Sequence, residues 1–365
     1  RERTEMTEVA DFNFDLPPEL IAQEPPAERS GARLLCLDRT SGAVEHAAIA
    51  DLATRLRAGD LLVVNNTRVF PARLLGHRVP SGGAVECFLV ARLPAEAGDD
   101  PGAERWTALV HPGQRVKPGA HVIFEGGRTL HGEVLDRGSH GRRVVRLQAD
   151  PVHGRAVSVE DAVEAIGHVP LPPYIRRDDR REDRDRYQTM FAEPRGSVAA
   201  PTAGLHFSPG LVARLRDAGI QWTSVTLHVG YGTFQPVRVE QVEAHQVAAE
   251  RFEIGEVAAG EINRALDEGR RLVAVGTTTT RTLEAVARAH GGRMVAAHGE
   301  TDLFIYPGFE FRAVSGLLTN FHLPQSSLLM LVAAFAGREA VLTAYREAVA
   351  ARYRFYSYGD AMLML

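Results

Sequence analysis

Apolar positions along the chain fall into two textures. In the first, four-residue apolar runs close on polar or turn-forming residues: residues 34–37 (LLCL) stop at DRTSG, and residues 61–64 (LLVV) run into Asn65, Asn66, Thr67 and Arg68. Runs of that length with that punctuation predict buried strands, and polar residues directly after a buried strand end are a common place for a site. From about residue 74 to 147 the texture changes to short β-like pieces (85–90, 106–110, 121–124 and 143–147) between Gly, Pro and Asp turns. Their even spacing predicts a small β-barrel or sandwich, with an exposed, turn-rich loop at 93–103.

Farther along, helices are predicted at 159–166, 211–218, 257–268 and 282–289, each followed by glycine, with strands at 223–227 and 272–275. Glycine just past a helix supplies its left-handed stop. Strand alternating with helix gives this half α/β character.

At 365 residues the chain has room for two domains, and 45% hydrophobic with 24% charged residues is ordinary globular usage. A net charge of −4 gives no overall basic footprint, so any RNA contact must come from a local patch. Residues 176–186 (RRDDRREDRDR) are the one charge run, but their signs interleave, as on a solvated surface. Cys36 and Cys87 form neither a CxxC pair nor a zinc spacing. The first residues lack the apolar stretch of a secretory signal, and Met6 reads as the natural start. The most apolar run, 328–336, is far shorter than the ~20 residues of a membrane span, so a soluble protein with no membrane partner is expected.

Residues 273–285 (VAVGTTTTRTLEA) read as strand, glycine, threonine run, helix. Free N–H groups and hydroxyls at a helix start hold an anion, and Thr277 and Thr278 with Arg281 one turn on would suit a carboxylate or phosphate. One threonine suffices for plain capping; four in a row favour a ligand. No GxGxxG or GxxxxGK[ST] occurs, which disfavours standard dinucleotide and P-loop sites. Three loops each carry one histidine among small, glycine or proline residues: His206 in 199–207 (AAPTAGLHF), His228 in 227–234 (LHVGYGTF) and His322 in 319–324 (TNFHLP). Any one of these is more often structural than catalytic, but three together shift the balance toward a site. HxxxH and HExxH are absent, so no metal is expected, and GxSxG is absent too. Asn66, Arg68 and Arg73 offer amides and guanidinium groups for a carboxylate, phosphate or base edge. In 302–309 (DLFIYPGF) an acid precedes an apolar strand, and Tyr306 can stack on a base or pack in a core.

Ordered blocks along the chain resemble the S-adenosylmethionine:tRNA ribosyltransferase-isomerases. They are 11–38, 59–76 (GDLLVVNNTRVFPARLLG), 167–175 (GHVPLPPYI), 187–207, 225–237, 273–284, 301–308, 318–337 and 353–362. The resemblance is thin only over 79–157. It implies an enzyme of queuosine biosynthesis that attaches an epoxycyclopentanediol, made from the ribosyl part of S-adenosylmethionine, to 7-aminomethyl-7-deazaguanine at the tRNA wobble position. Adenine and methionine leave, and the product is epoxyqueuosine. It further implies a cytoplasmic monomer without metal or prosthetic group, with S-adenosylmethionine as co-substrate and tRNA carrying that base as partner. The implied fold is an α/β (mixed α+β) main domain with an inserted small β-barrel domain. With the hydrophobic pattern, that sets the main domain at 1–74 and 158–365 and the insertion at 75–157.

On this resemblance the base candidates are His206, His228 and His322, in that order. Thr277, Thr278 and Arg281 are expected to cradle the methionine carboxylate, with Thr202, Gly230 and Gly232 also against S-adenosylmethionine. Asn66, Arg68, Arg73, Arg176, Arg177 and Tyr306 are expected on the nucleobase or RNA side. Residues 354–362 (RFYSYGDAM) could close over adenine or pin the tail. One stretch departs from the family's usual His-x-Met-His-Ser-Glu: here it reads His245, Gln246, Val247, Ala248, Ala249, Glu250. The competing readings are a diverged enzyme acting on a free deazapurine or another small amine, and an RNA-binding protein with a dead site.

Overall fold

The computed structural model describes residues 7–138, 141–234 and 236–365; Met6, the expected start, lies outside them. The chain divides into two compact units, one of Arg1–Arg68, Pro172–Arg177 and Asp185–Leu365, the other of Val69–Leu171 and Asp178–Arg184.

The first unit opens with β1 (Arg33–Leu37), β2 (Val44–Ala48), the short helix α1 (Leu52–Arg55) and β3 (Leu61–Asn65); β4 (Arg68–Val69) marks the junction. In the second unit β5 (Arg73–Val79), β6 (Ala84–Leu93), β7 (Glu104–His111), β8 (His121–Glu125), β9 (Thr129–Arg137) and β10 (Arg142–Ala149) close into an antiparallel barrel. Going round it the order is β10-β7-β6-β5-β8-β9. Closure removes every free strand edge. Alternate residues such as Val85, Cys87 and Leu89 on β6 point inward and are buried. Helix α2 (Val159–Ile166), capped by the Ser158 hydroxyl on the Asp161 N–H, packs on β9 and β10 through Val159, Ala162 and Val163.

This unit is wider than the expected insertion at 75–157. β5 begins at Arg73, and α2 belongs with the barrel although its pattern reads like the helices that follow. β5 and β9 escaped the sequence reading because charged residues and glycine interrupt them.

The first unit continues with α3 (Asp183–Arg186) at the last junction, then β11 (Arg195–Ser197), α4 (Pro209–Asp217), β12 (Gln221–Leu227), β13 (Glu250–Ile254), α5 (Glu256–Asp267) and β14 (Leu272–Val275). After these come α6 (Thr277–Ala289), β15 (Ala297–Thr301), β16 (Gly316–Asn320), α7 (Ser327–Ala336), α8 (Arg338–Ala350) and β17 (Ala361–Met364). Nine strands form one mixed sheet in the order β15-β13-β12-β3-β14-β16-β17-β1-β2. Its centre is buried on both faces, which is why β3, β14, β16 and β17 are apolar almost without interruption. The strand period of two sorts these residues. Leu61, Val63, Ala274 and Leu317 join the core under α5 to α8. Leu62, Val64, Val275 and Leu318 join the core under α4 with Phe207 and Leu211.

Two local expectations change. Helix α6 begins at Thr277, so the threonine run is its first turn rather than a loop before it. Residues 303–305 carry no strand, because β15 has ended at Thr301. Among the described residues no single helix is long and apolar enough to cross a membrane.

Candidate active site

Adjacent parallel strands β14 and β16 deliver the chain to one cleft of about 600 Å³ in the first unit. After β14, Gly276 takes φ +94°, a conformation that side-chain-bearing residues rarely adopt, and α6 starts at once. No side chain caps α6. Its first N–H groups have no partner within the helix, so they present partial positive charge at the cleft. Of the four threonines only Thr277 and Thr278 line it. Thr279 donates to the Val275 carbonyl at 2.8 Å and Thr280 to the Gly276 carbonyl at 3.1 Å, bonds that belong to the helix itself. Thr278 Oγ1 accepts from Asn65 Nδ2 at 3.2 Å. Asn65 also bonds both the N–H and the carbonyl of Leu227, tying β3, β12 and α6 together.

The loop after β16 brings in His322. Its Nε2 lies 2.9 Å from Thr319 Oγ1, its backbone N–H donates to the Tyr345 hydroxyl, and burial pulls its imidazole down to about 3. It is therefore neutral at physiological pH. Part of the lining is aromatic: Tyr174 and Tyr356 stack at 3.9 Å between centroids, and Tyr174 shares a 2.5 Å hydrogen bond with Ser357. Tyr187 and Thr202 line the cleft as well.

The expected histidines are thus separated. His206 does not line this cleft; it sits behind Asn320, 3.3 Å from Oδ1, and burial lowers it to about 4. Asn320 in turn donates to the Tyr356 carbonyl, so His206 supports a cleft residue from behind. His228 lies outside the cleft as well, 2.8 Å from Thr67 Oγ1, and burial lowers its pKa, with Arg251 adding to the effect. A Cβ on Gly196 would come within 2.7 Å of that ring, so the small residue there serves His228 rather than a ligand.

Arg281, expected beside Thr277 and Thr278, lines a second cleft of about 630 Å³ instead. Its guanidinium meets Glu250 at 2.5 Å, with both side chains buried, and bonds the Leu303 and Thr301 carbonyls. The other Glu250 oxygen accepts the Gly230 N–H at 2.8 Å. Gly232, His245 and Ala248 line this second cleft, so the segment with the unusual sequence forms its wall.

Among the expected RNA contacts, Asn66 is held by Thr226 and Ser224 within the sheet. Arg68 is exposed at the end of the first stretch of its unit. Arg73, in the barrel unit, makes a two-pronged pair with Glu86. Arg176 is exposed, whereas Arg177 bonds the Gln23 carbonyl and Glu24. Tyr306 is half-buried against Phe304 and the main core, away from the first cleft.

A family model described as "Queuosine biosynthesis protein" matches residues 9–364. The chain belongs to this family. It is 49% identical to the S-adenosylmethionine:tRNA ribosyltransferase-isomerase of Heliobacterium modesticaldum, over 98% of this chain and 100% of that protein. With the protein of the same name from Sorangium cellulosum the identity is 50%, over 97% of each chain. The crystal structure of the S-adenosylmethionine tRNA ribosyltransferase from Thermotoga maritima, 37% identical, covers 97% of this chain and all of its own, with a TM-score of 0.54.

Membership in the queuosine biosynthesis family fits a mixed α/β unit and a closed six-stranded barrel in one chain. Within that frame, sequence reasoning did not single out Asn65, Tyr174, Tyr187 or Asn320, and took Ser357 only as part of residues 354–362. Asn65 stood next to Asn66 in the same polar run, and the alternation along β3 could have told them apart. The tyrosines carried no such signal, because they come from segments far apart in sequence.

Proposed function

We propose that the chain transfers and isomerises the ribosyl group of S-adenosylmethionine onto 7-aminomethyl-7-deazaguanine at the tRNA wobble position, giving epoxyqueuosine with release of adenine and methionine. The observation that carries this reading is a single cleft holding an uncapped helix start at Thr277 and Thr278, a neutral His322 and an aromatic wall. The names of the relatives supply the substrate pair.

A sulfonium acidifies the protons on the neighbouring ribose carbon, so one positioned base starts the reaction. Ring opening expels adenine, the aminomethyl nitrogen attacks, and ring closure expels methionine. The N-terminus of α6 and the Thr277 hydroxyl receive the methionine carboxylate, with Thr202 alongside. His322 takes the proton. Burial makes it a weak base, and the acidity beside the sulfonium has to compensate. His206 positions Asn320 rather than touching the reacting atoms. The Arg281–Glu250 pair, with the Gly230 N–H, shapes the neighbouring second cleft, where Gly232 lies and where the acceptor base enters. Arg68 and Arg176 are exposed cations offered to tRNA phosphates, and Arg73 and Arg177 lie beside Glu86 and Glu24. We place the enzyme in the cytoplasm, as a monomer needing neither metal nor prosthetic group.

Neither a small-amine acceptor nor a dead RNA-binding protein is favoured, since identity near 50% runs the length of the chain. The test is competition between acceptors. With S-adenosylmethionine present, tRNA bearing the aminomethyl base should gain the epoxycyclopentanediol mass in its nucleosides, while the free base stays unmodified. Modification of the free base alone would reject the tRNA acceptor.

A further inference from the structure

The wall of the first cleft contains a polar atom that the protein leaves without a partner. Tyr187 is 1% exposed, and its hydroxyl finds no hydrogen bond. The Ala200 backbone and Ser357 are its polar neighbours, yet neither meets it at bonding geometry. A buried hydroxyl in that condition destabilises the free protein and calls for an explanation. The ring is fixed, since Tyr358 packs edge-on against it with centroids 6.0 Å apart at 82°. Beside it stand Tyr174 and Tyr356, the stacked pair, with Tyr174 anchored to Ser357. Burial raises the pKa of all three phenols, so each keeps its proton at physiological pH. This corner therefore combines a flat, apolar, uncharged wall with one fixed O–H donor. It fits the face and a ring nitrogen of a planar heterocycle.

We propose that this corner is the subsite for the purine ring of S-adenosylmethionine, with the Tyr174–Tyr356 wall against its face and the Tyr187 hydroxyl donating to a ring nitrogen. The inference rests on the proposed function and identifies which wall handles the leaving group. When the ribose–purine C–N bond breaks, its electron pair leaves with the purine. The proton that neutralises the purine is the one lifted from the ribose, and Tyr187 keeps its own. The hydrogen bond strengthens as electron density gathers on the ring, so it acts more on the transition state than on the bound substrate.

Tyr187→Phe removes only the hydroxyl. The melting temperature should hold or rise, because an unpartnered buried group has gone. Affinity for S-adenosylmethionine by calorimetry should fall about five- to tenfold, with kcat falling further than KM rises. In the wild-type protein, one of 1-deazaadenine, 3-deazaadenine and 7-deazaadenine should bind about five- to tenfold more weakly than adenine, and the Phe variant should lose that discrimination. Equal binding of adenine and all three deaza analogues by the wild-type protein would overturn the subsite, whatever the variant does. A lower melting temperature with unchanged affinity would overturn it too, making Tyr187 structural. A wild-type protein that fails to bind S-adenosylmethionine at all would overturn the proposed function, and this subsite with it.

Discussion

Replacing Arg281 with Ala should damage the fold before it damages ligand binding. The guanidinium lies 2.5 Å from Glu250, and the two side chains are 7% and 4% exposed. Truncating Arg281 takes away the guanidinium that faces the buried Glu250 carboxylate, which still accepts the Gly230 N–H. Breaking a buried pair from one side costs about 3–5 kcal/mol. At roughly 2 °C per kcal/mol for a unit of this size, the melting temperature should fall by about 6–10 °C. Glu250→Leu should cost a similar amount by stranding the cation. The double variant Arg281→Met with Glu250→Leu should recover part of the loss, since it strands neither charge, while the Gly230 N–H and the Leu303 and Thr301 carbonyls lose these partners. Arg293→Ala, at the surface pair with Asp267, is the control and should leave the melting temperature unchanged. The assay is thermal unfolding of the five proteins in one buffer, alongside calorimetry with S-adenosylmethionine. The reasoning fails if Arg281→Ala melts within 2 °C of wild type and yet loses S-adenosylmethionine affinity tenfold or more. That result would return Arg281 to the carboxylate cradle.

Thr277→Val should leave stability unchanged but weaken S-adenosylmethionine binding about ten- to a hundredfold, while Thr279→Val should do the reverse and cost about 0.5–1.5 kcal/mol of stability. Paired calorimetry and melting curves would expose the idea as wrong if the two variants behaved alike. Acid should destabilise the protein through its buried histidines. Unfolded imidazoles take protons from about pH 6.5 downward, whereas folded His206 and His322 resist until about 4 and about 3. Stability from this source is complete above pH 6.5 and is lost as pH falls toward those values. His206→Gln should make the decline in melting temperature between pH 6.5 and 4 shallower, and an unchanged decline would contradict the linkage. Arg176→Ala should reduce the salt slope of tRNA binding by about one unit on log axes, and Arg177→Ala by less because it already bonds Gln23 and Glu24. Equal slopes for both variants would remove that distinction.

Much of the fold was legible because the central strands are buried on both faces. A four-residue run such as 61–64 or 272–275 has nowhere to go but the middle of a sheet, and glycine marks most of the helix ends. The barrel was legible as a texture, although β5 and β9, with charged residues on their outer faces, were not. The site divided along another line. The Thr277–Thr278 helix start could be found because its residues adjoin in sequence. The choice among His206, His228 and His322 could not, because each sits in a similar small-residue loop and only packing decides which reaches the cleft. Arg281 misled for a related reason. Its partner Glu250 lies 31 residues away on β13, and nothing local signals that the charge is already matched. Of residues 354–362, Asp360 pins the tail by accepting from the Arg33 and Arg354 N–H groups, and Tyr356 and Ser357 line the cleft.

The central claim is that the ribosyl group, and not the methyl group, leaves S-adenosylmethionine for tRNA. The most direct measurement is the quantification of small products during turnover with tRNA carrying the aminomethyl base. Adenine and methionine should appear in equal amounts, each matching the epoxyqueuosine formed in the tRNA. S-adenosylhomocysteine as the main product, with a methyl mass gained by the RNA, would contradict the account.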